Sequence, residues 1–401
     1  MACAISIPPS TGACACSERT LPPRARCIRP SPVTITCPTA TWNVSASACR
    51  SYWRCSVRPV VRANCASTWH PRPFLVPAAK PPTSAAMRKL APLLALLFSA
   101  SSWAVSEVDI LSDLNGRYGT VGYHERVSAA VAAIVARRPQ LVIAAGDLIA
   151  AQRRPPLSAE HLARMWQAFD DTVFGPLEKA GIPLVVSAGN HDASAFAGFE
   201  GDRTAFAHYW QSKPPPMALL PGSNYPWYFA GKVGSRLVVS LYVTVQGELP
   251  GEQKQFLSTL LDTLDSGVSE VYLVGHLPLH DLAKGREGDS LDDPALEKLL
   301  AKLTVPVWYV SGHHHVFYLG RDGDGELLHL AAPPLGGNRR TWLATDSHSP
   351  FGFIAVDNAR CVSLHSPPAF GPVAPRGIPS RIGSQTLASD RVATSSGGHC
   401  Q

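Results

Sequence analysis

Five short clusters of carboxylate, amide and imidazole stand out along the chain: Asp113-Leu114-Asn115, Gly146-Asp147, Gly189-Asn190-His191-Asp192, Gly275-His276 and Gly312-His313-His314-His315. These side chains are ligands for borderline-hard divalent cations, and no thiolate is among them. A carboxylate shared between two ions about 3.5–4 Å apart lets such a site clamp a phosphoryl group and lower the pKa of a bridging water. The candidate metal ligands are Asp113, Asn115, Asp147, Asn190, His276, His313 and His315, with His191 and Asp192 beside them in the third cluster. His280 and His314 are read as neighbours of the site, and His161, His208 and His329 as surface or structural histidines.

The clusters sit where short apolar, β-branched runs end. Strands are expected over 108–111, 141–144, 184–186, 237–243, 271–274 and 305–310. Between them lie helical patterns over 125–137, 158–180 and 252–264; the second places Leu162, Met165, Trp166, Phe169, Val173 and Leu177 on one face before Gly181 and Pro183. This alternation predicts an α/β fold with helix-covered sheets, in which polar residues delivered at strand carboxyl ends meet in one crevice. A glycine beside each cluster is expected to let the backbone turn sharply there. Tyr225-Pro226-Trp227-Tyr228 reads as a hairpin packed on the core.

In their order and spacing the five blocks resemble the calcineurin-like metallophosphoesterase superfamily, whose signature is Asp-x-His, Gly-Asp, Gly-Asn-His-Asp/Glu, Gly-His and Gly-His-x-His. Four blocks match fully and the first in part, across about residues 107 to 320; a Gln-containing helix near Glu252-Gln253 is a weaker match. The resemblance implies a four-layer α/β/β/α sandwich and two divalent metal ions, manganese, iron or zinc. It implies that Asp147 bridges them, that Asp113 and His315 hold the first, and that Asn190, His276 and His313 hold the second. His191 would face the phosphate and protonate or polarise the leaving oxygen, with Asp192 orienting its ring, since a carboxylate fixes the tautomer and raises the basicity of its imidazole partner. The implied reaction is hydrolysis of a phosphate mono- or diester by in-line attack of a metal-bridging hydroxide, on a small-molecule substrate. Asn115 departs from the pattern, standing where the family usually has a histidine. Purple acid phosphatases of the same superfamily also lack that histidine and use a tyrosine from elsewhere; here Tyr118, Tyr123 and His124 lie close by in sequence. The alternative is an exported metal-binding domain of the same fold with lost or weak catalysis.

Charge and cysteine divide the chain elsewhere. Residues 1–86 carry ten Lys or Arg against the single acid Glu18, leaving 26 basic and 29 acidic residues in 87–401. The larger part is therefore slightly acidic, without the basic stripe of a specific nucleic-acid binder. Eight of the ten cysteines lie in the first 65 residues, and their spacing gives no zinc-knuckle pairing. Residues 1–86 are read as a disordered or upstream-start extension, since their composition cannot bury a core. Met87-Arg88-Lys89, the apolar run 90–98 and the small-residue exit Ser102-Trp103-Ala104 have the three parts of a signal peptide over 87–104, implying a periplasmic or secreted protein. Its apolar run is too short to remain as a membrane span. The phosphoesterase-like domain is then 105–365, and the Pro-, Ser- and Gly-rich residues 366–401 are expected to be a disordered tail.

Overall fold

The computed structural model describes residues 34–37, 40–43, 107–323, 325–393 and 400. The chain divides into two units, Met1–Ser84 and Ala85–Gln401. In the first, β1 (Thr34–Cys37) and β2 (Ala40–Asn43) pair antiparallel, an element that the composition of 1–86 did not suggest. The segment 87–104 lies outside the described residues.

The second unit begins with a βα repeat. Strand β3 (Val108–Leu111) leads to helix α1 (Glu125–Arg137), β4 (Leu141–Ala144), helix α2 (Ala159–Phe169) and α3 (Gly175–Lys179), then β5 (Leu184–Val186). One π-turn, Asp170–Phe174, joins α2 to α3, so the helix expected over 158–180 is present with one bulged turn. After β5 come α4 (Asn190–Ala193), α5 (Glu200–Gln211), β6 (Phe229–Val233), β7 (Arg236–Ser240), α6 (Gly251–Asp262), β8 (Glu270–Val274), α7 (Pro294–Leu300) and β9 (Val307–Ser311). Strands β10 (Tyr318–Arg321), β11 (Leu327–Ala331), β12 (Phe353–Val356), β13 (Val362–Ser366), β14 (Gly371–Val373), β15 (Arg381–Ile382) and β16 (Gln385–Leu387) complete it.

Two sheets result, ordered β14-β13-β12-β3-β4-β5 and β15-β16-β10-β11-β9-β8-β7-β6. Because side chains alternate along a strand, each sheet feeds two apolar layers. Ile110, Ile143 and Val185 of the first sheet meet Val274, Trp308 and Val310 of the second in the layer between them. On the outer side of the first sheet, Leu111, Val142 and Val186 pack against Val131, Met165 and Phe206 of α1, α2 and α5. On the outer side of the second, Val239, Leu273 and Tyr309 pack against Leu257 of α6 and Leu296 of α7. Helix, sheet, sheet and helix are the four layers expected. Tyr225 and Trp227 pack on the first of the outer cores, Trp227 at 5.1 Å from Tyr242, which suits the structural role expected of them.

Residues 367–393 are folded, contrary to the disordered tail expected over 366–401. Strand β14 extends the first sheet, β16 pairs with β10 in the second, and Ile382, Ala388 and Val392 are buried. Cys361 and Cys400 form a disulfide. Strands of two or three residues are too short to show alternation among Pro and Gly, and they exist only because a preformed sheet edge supplies their hydrogen-bond partners.

Candidate metal centre

Parallel pairing brings the first ligands together. Register Leu111↔Ala144 sets β3 beside β4, so the loops after both strands run side by side. Asp113 N–H donates to Gly146 C=O at 3.1 Å, and Leu114 and Asn115 N–H donate to Asp147 C=O at 2.9 and 3.2 Å. From the other sheet, β8 and β9 are also parallel and deliver His276 and the 313–315 loop to the same edge. His313 N–H then reaches both oxygens of Asp113, each at 3.2 Å.

The donors form two overlapping groups. In one, Asp113, Asp147 and His315 each place a ligand atom within 4.8 Å of the others, with His315 Nε2 3.2 Å from Asp113 Oδ1. In the other, His276 Nε2 lies 3.0 Å from Asn190 Oδ1, 3.2 Å from Asp147 Oδ1 and 3.2 Å from His313 Nδ1. Gln152 accepts from Asn190 Nδ2 at 2.7 Å and so fixes which amide atom faces inward. The outer nitrogens are occupied: His276 Nδ1 pairs with Ala145 C=O at 2.8 Å and His315 Nδ1 with Asn338 C=O at 2.6 Å. A ring held by a carbonyl on one nitrogen, with the other left free for a cation, is the usual setting of a metal-binding histidine.

The backbone is bent to serve these contacts. Asp113, Asp147, His313 and His315 have φ of 52°, 54°, 65° and 53°, a left-handed conformation uncommon for residues with a Cβ. Glycine serves two purposes here, only one of them expected. Gly146, at φ 87°, permits a turn. At Gly189 the φ is −92°, and the need is space: a Cβ would meet Asp147 N at 2.0 Å and Asp147 Oδ1 at 2.3 Å. Gly312 is the same case, its Cβ falling 1.9 Å from Ser112 Oγ and 2.6 Å from Asp113 Oδ2.

Charge is concentrated as the donor set requires. Burial opposes ionisation of Asp147, yet His276 and His191 beside it hold its carboxyl well below the usual range. Burial likewise opposes a charged His276, but Asp147 and Asp113 prevail and raise it to about 9, so a bound cation would have to displace that proton. Asn115 is buried and its Oδ1 has no hydrogen-bond partner, as an amide oxygen intended for a cation would be. The donor set of oxygen and nitrogen, the orphaned Asn115 Oδ1 and the glycine-lined cradle all fit divalent metal.

His191 and Asp192 do not form the expected pair. Asp192 accepts from Leu148 N–H at 2.7 Å, Ile149 N–H at 2.8 Å and Gly189 N–H at 2.8 Å, so both its oxygens are committed to backbone. Successive residues on a helix point about 100° apart and do not face each other. On α4, Asp192 therefore turns inward to cap Gly189 while His191 turns to the cleft. His191 Nε2 is 3.8 Å from Asp147 Oδ2, its ring stacks on Tyr118 at 4.6 Å, and its Nδ1 is buried without a partner.

The carboxylate that does lie against a site imidazole is Asp289, whose Oδ2 is 3.0 Å from His313 Nε2. It also pairs with Arg286. No motif marks Asp289; it lies in the long β8–α7 loop and reaches the site only through folding. Tyr118 is 57% exposed over the cleft, whereas Tyr123 donates to Leu148 C=O at 2.7 Å and His124 caps α1, so the latter two are spent on structure. His314 joins Leu282 N–H and Asp289 C=O and holds the loop. Gln253 is buried and joins both backbone groups of Tyr242, after β7. The cleft above the donors encloses about 1030 Å³ and is lined by Asn115, Tyr118, His191 and His315 together with Arg117, Arg126, Arg286 and Arg340.

The family model for calcineurin-like phosphoesterases matches residues 107–317. Among solved structures, a purple acid phosphatase from yellow lupin (Lupinus luteus) seeds aligns at 15% identity and TM-score 0.49, over 65% of this chain and 51% of its own. The chain thus spans about half the length of that enzyme. A dimetal phosphatase from Danio rerio aligns at 14% identity and TM-score 0.42, over 63% of this chain and 96% of its own. The anchor in the inner membrane complex of Plasmodium aligns at 14% identity and TM-score 0.43, over 72% and 91%. No curated protein matches the sequence.

Proposed function

For this chain, which belongs to the calcineurin-like phosphoesterase family, we propose hydrolysis of a phosphate ester in the arginine-lined cleft, assisted by two divalent metal ions. The observation that carries this is the surrounding of His276 Nε2. Asn190 Oδ1, Asp147 Oδ1 and His313 Nδ1 all lie within 3.2 Å of it. One proton cannot satisfy four converging donors, whereas one cation can. Asp113, Asn115 and His315 would hold one ion, Asn190, His276 and His313 the other, and Asp147 would be shared. Manganese, iron and zinc all suit these ligands. When bound, the pair would supply Lewis acidity toward the phosphoryl oxygens and lower the pKa of a water.

The side chains around the ions have distinct tasks. His191 holds a proton for the leaving oxygen at Nε2, because its Nδ1 is sealed from solvent. Tyr118 backs the ring and limits its rotation. Asp289 keeps His313 in the tautomer that presents Nδ1 inward. Arg286 and Arg340 at the cleft, with Arg117 and Arg126, draw in anionic substrate. Four guanidinium groups favour a small dianionic monoester over a diester. No helix among the described residues is long and apolar enough to cross a membrane. We extend the proposal to export: the Cys361–Cys400 disulfide supports an oxidising compartment. Fusing residues 87–104 to a reporter enzyme tests this, and retention of the reporter inside the cell would count against it.

The catalytic test uses the full chain stripped of metal. It is assayed on an aryl phosphomonoester and the matching diester, with manganese, zinc or iron added. Metal-dependent turnover, faster on the monoester and lost in Asp147→Asn, is expected. Folded protein that stays inert with every metal refutes the proposal.

A further inference from the structure

A second group of histidine and carboxylate lies on the outer side of the second sheet, away from the cleft. His280 comes from the loop after β8, Glu297 from α7, Asp322 from the end of β10 and His329 from β11. Each places one ligand atom within 4.8 Å of all the others. His280 Nε2 is 3.4 Å from Glu297 Oε2 and 3.5 Å from Asp322 Oδ2, and the two imidazole rings are 4.7 Å apart. Four ligands at 2.0–2.1 Å from a tetrahedral ion must be about 3.3–3.4 Å from one another. The two spacings from His280 Nε2 come close to that figure.

His329 provides the independent observation. It is only 6% exposed, and neither of its ring nitrogens has a hydrogen-bond partner. An imidazole with both nitrogens unsatisfied in the interior costs about 1–3 kcal/mol per group unless something binds there. An ion pair between His280 and the carboxylates does not resolve this. His280 Nε2 is itself buried without a hydrogen bond, and a single N–H can serve only one of the two carboxylates.

We propose that His280, Glu297, Asp322 and His329 form a tetrahedral binding site for a divalent zinc-like ion, separate from the catalytic pair. Four protein ligands fill a tetrahedron and leave no open position, which makes this a structural site. It ties α7 and the β10–β11 hairpin to the loop that carries His280. That same loop begins at His276 and contains Asp289.

The test is a zinc titration of the metal-stripped full chain, read as equivalents bound, for wild type and for Glu297→Gln combined with Asp322→Asn. These two carboxylates are partly exposed, so the double variant keeps its core. It is expected to bind one equivalent fewer than wild type and to lose the intense visible absorption of tetrahedral cobalt(II) when cobalt is the probe. Turnover of the aryl phosphomonoester in saturating manganese should stay within about twofold of wild type. His280→Ala should repeat the loss. Equal stoichiometry in wild type and double variant overturns the proposal. Because the readout is a difference in bound metal, it stands or falls whether or not the cleft proves catalytic.

Discussion

The two histidine–carboxylate groups use similar residue types on very different backbones. In the cleft, four candidate ligands are left-handed, and glycines stand where any Cβ would collide with a ligand or its neighbour. Such backbone costs about 1–2 kcal/mol per residue, so the surrounding fold must impose it. The outer group is built differently: Glu297 lies within a helix, His329 within a strand, and none of its four members is left-handed. The contrast teaches what a site for two ions and a substrate demands. Ligands must crowd at strand ends and leave a face open, whereas four ligands enclosing one ion can hang from regular elements.

Five experiments sharpen or break the contrast, in order of expected size. Asp147→Asn should lower kcat by on the order of 10³, the scale of losing a central electrostatic stabiliser, with the circular dichroism spectrum unchanged. Retained turnover would remove Asp147 from the centre. Gly312→Ala, adding a methyl 1.9 Å from Ser112 Oγ, should displace Asp113 and cost about 10²-fold in kcat/KM. A small effect here would erase the difference between the two backbones. Asp289→Asn should reduce turnover or metal affinity about 10–100-fold, as loss of an orienting carboxylate does, while leaving the denaturation midpoint in place.

Asp192→Asn should behave in the opposite way to Asp289→Asn. It replaces one of the two accepting oxygens with an NH2 group that faces a buried amide, costing about 1–3 kcal/mol in chemical denaturation, and the folded fraction should keep its kcat. A kcat loss at full stability would restore the expected role beside His191. The smallest effect concerns His365, the counterpart of His329 with both nitrogens partnered, at 3.0 Å from Phe370 C=O and 3.1 Å from Ser363 Oγ. Burial lowers its pKa to about 4. The unfolded ring takes a proton below about 6.5 while the folded one does not until about 4, so stability falls as pH drops through that window. His365→Phe should remove about 2 kcal/mol of that acid dependence, read from denaturation midpoints at pH 7 and pH 4.5.

Much of the cleft was legible before folding was considered. Apolar runs of strand length ending in a ligand recur at β3, β4, β5, β8 and β9, with glycine just before the ligand in the last four, and each expected cluster reaches the same edge. That legibility has a cause: a strand end is a local feature, and the parallel α/β pattern sends successive carboxyl ends to one side. Helix boundaries at 125–137 followed equally from local periodicity. The sequence also limited the chemistry to oxygen and nitrogen ligands, because residues 87–360 contain no cysteine.

Other features depended on contacts between distant segments. Asp192 sits beside His191 in sequence yet faces away from it, since helical geometry outweighs adjacency. Asp289 reaches His313 from 24 positions upstream only because its loop folds back over β9. The strands after residue 366 needed sheet edges already in place. His280, Glu297, Asp322 and His329 share no spacing that pattern could reveal. Sequence alone determined which side chains stand at the ends of which strands, because that depends on near neighbours along the chain. Tertiary structure alone decided which carboxylate meets which imidazole, because a hydrogen bond or a shared cation is set by distances of about 3 Å that only packing can fix.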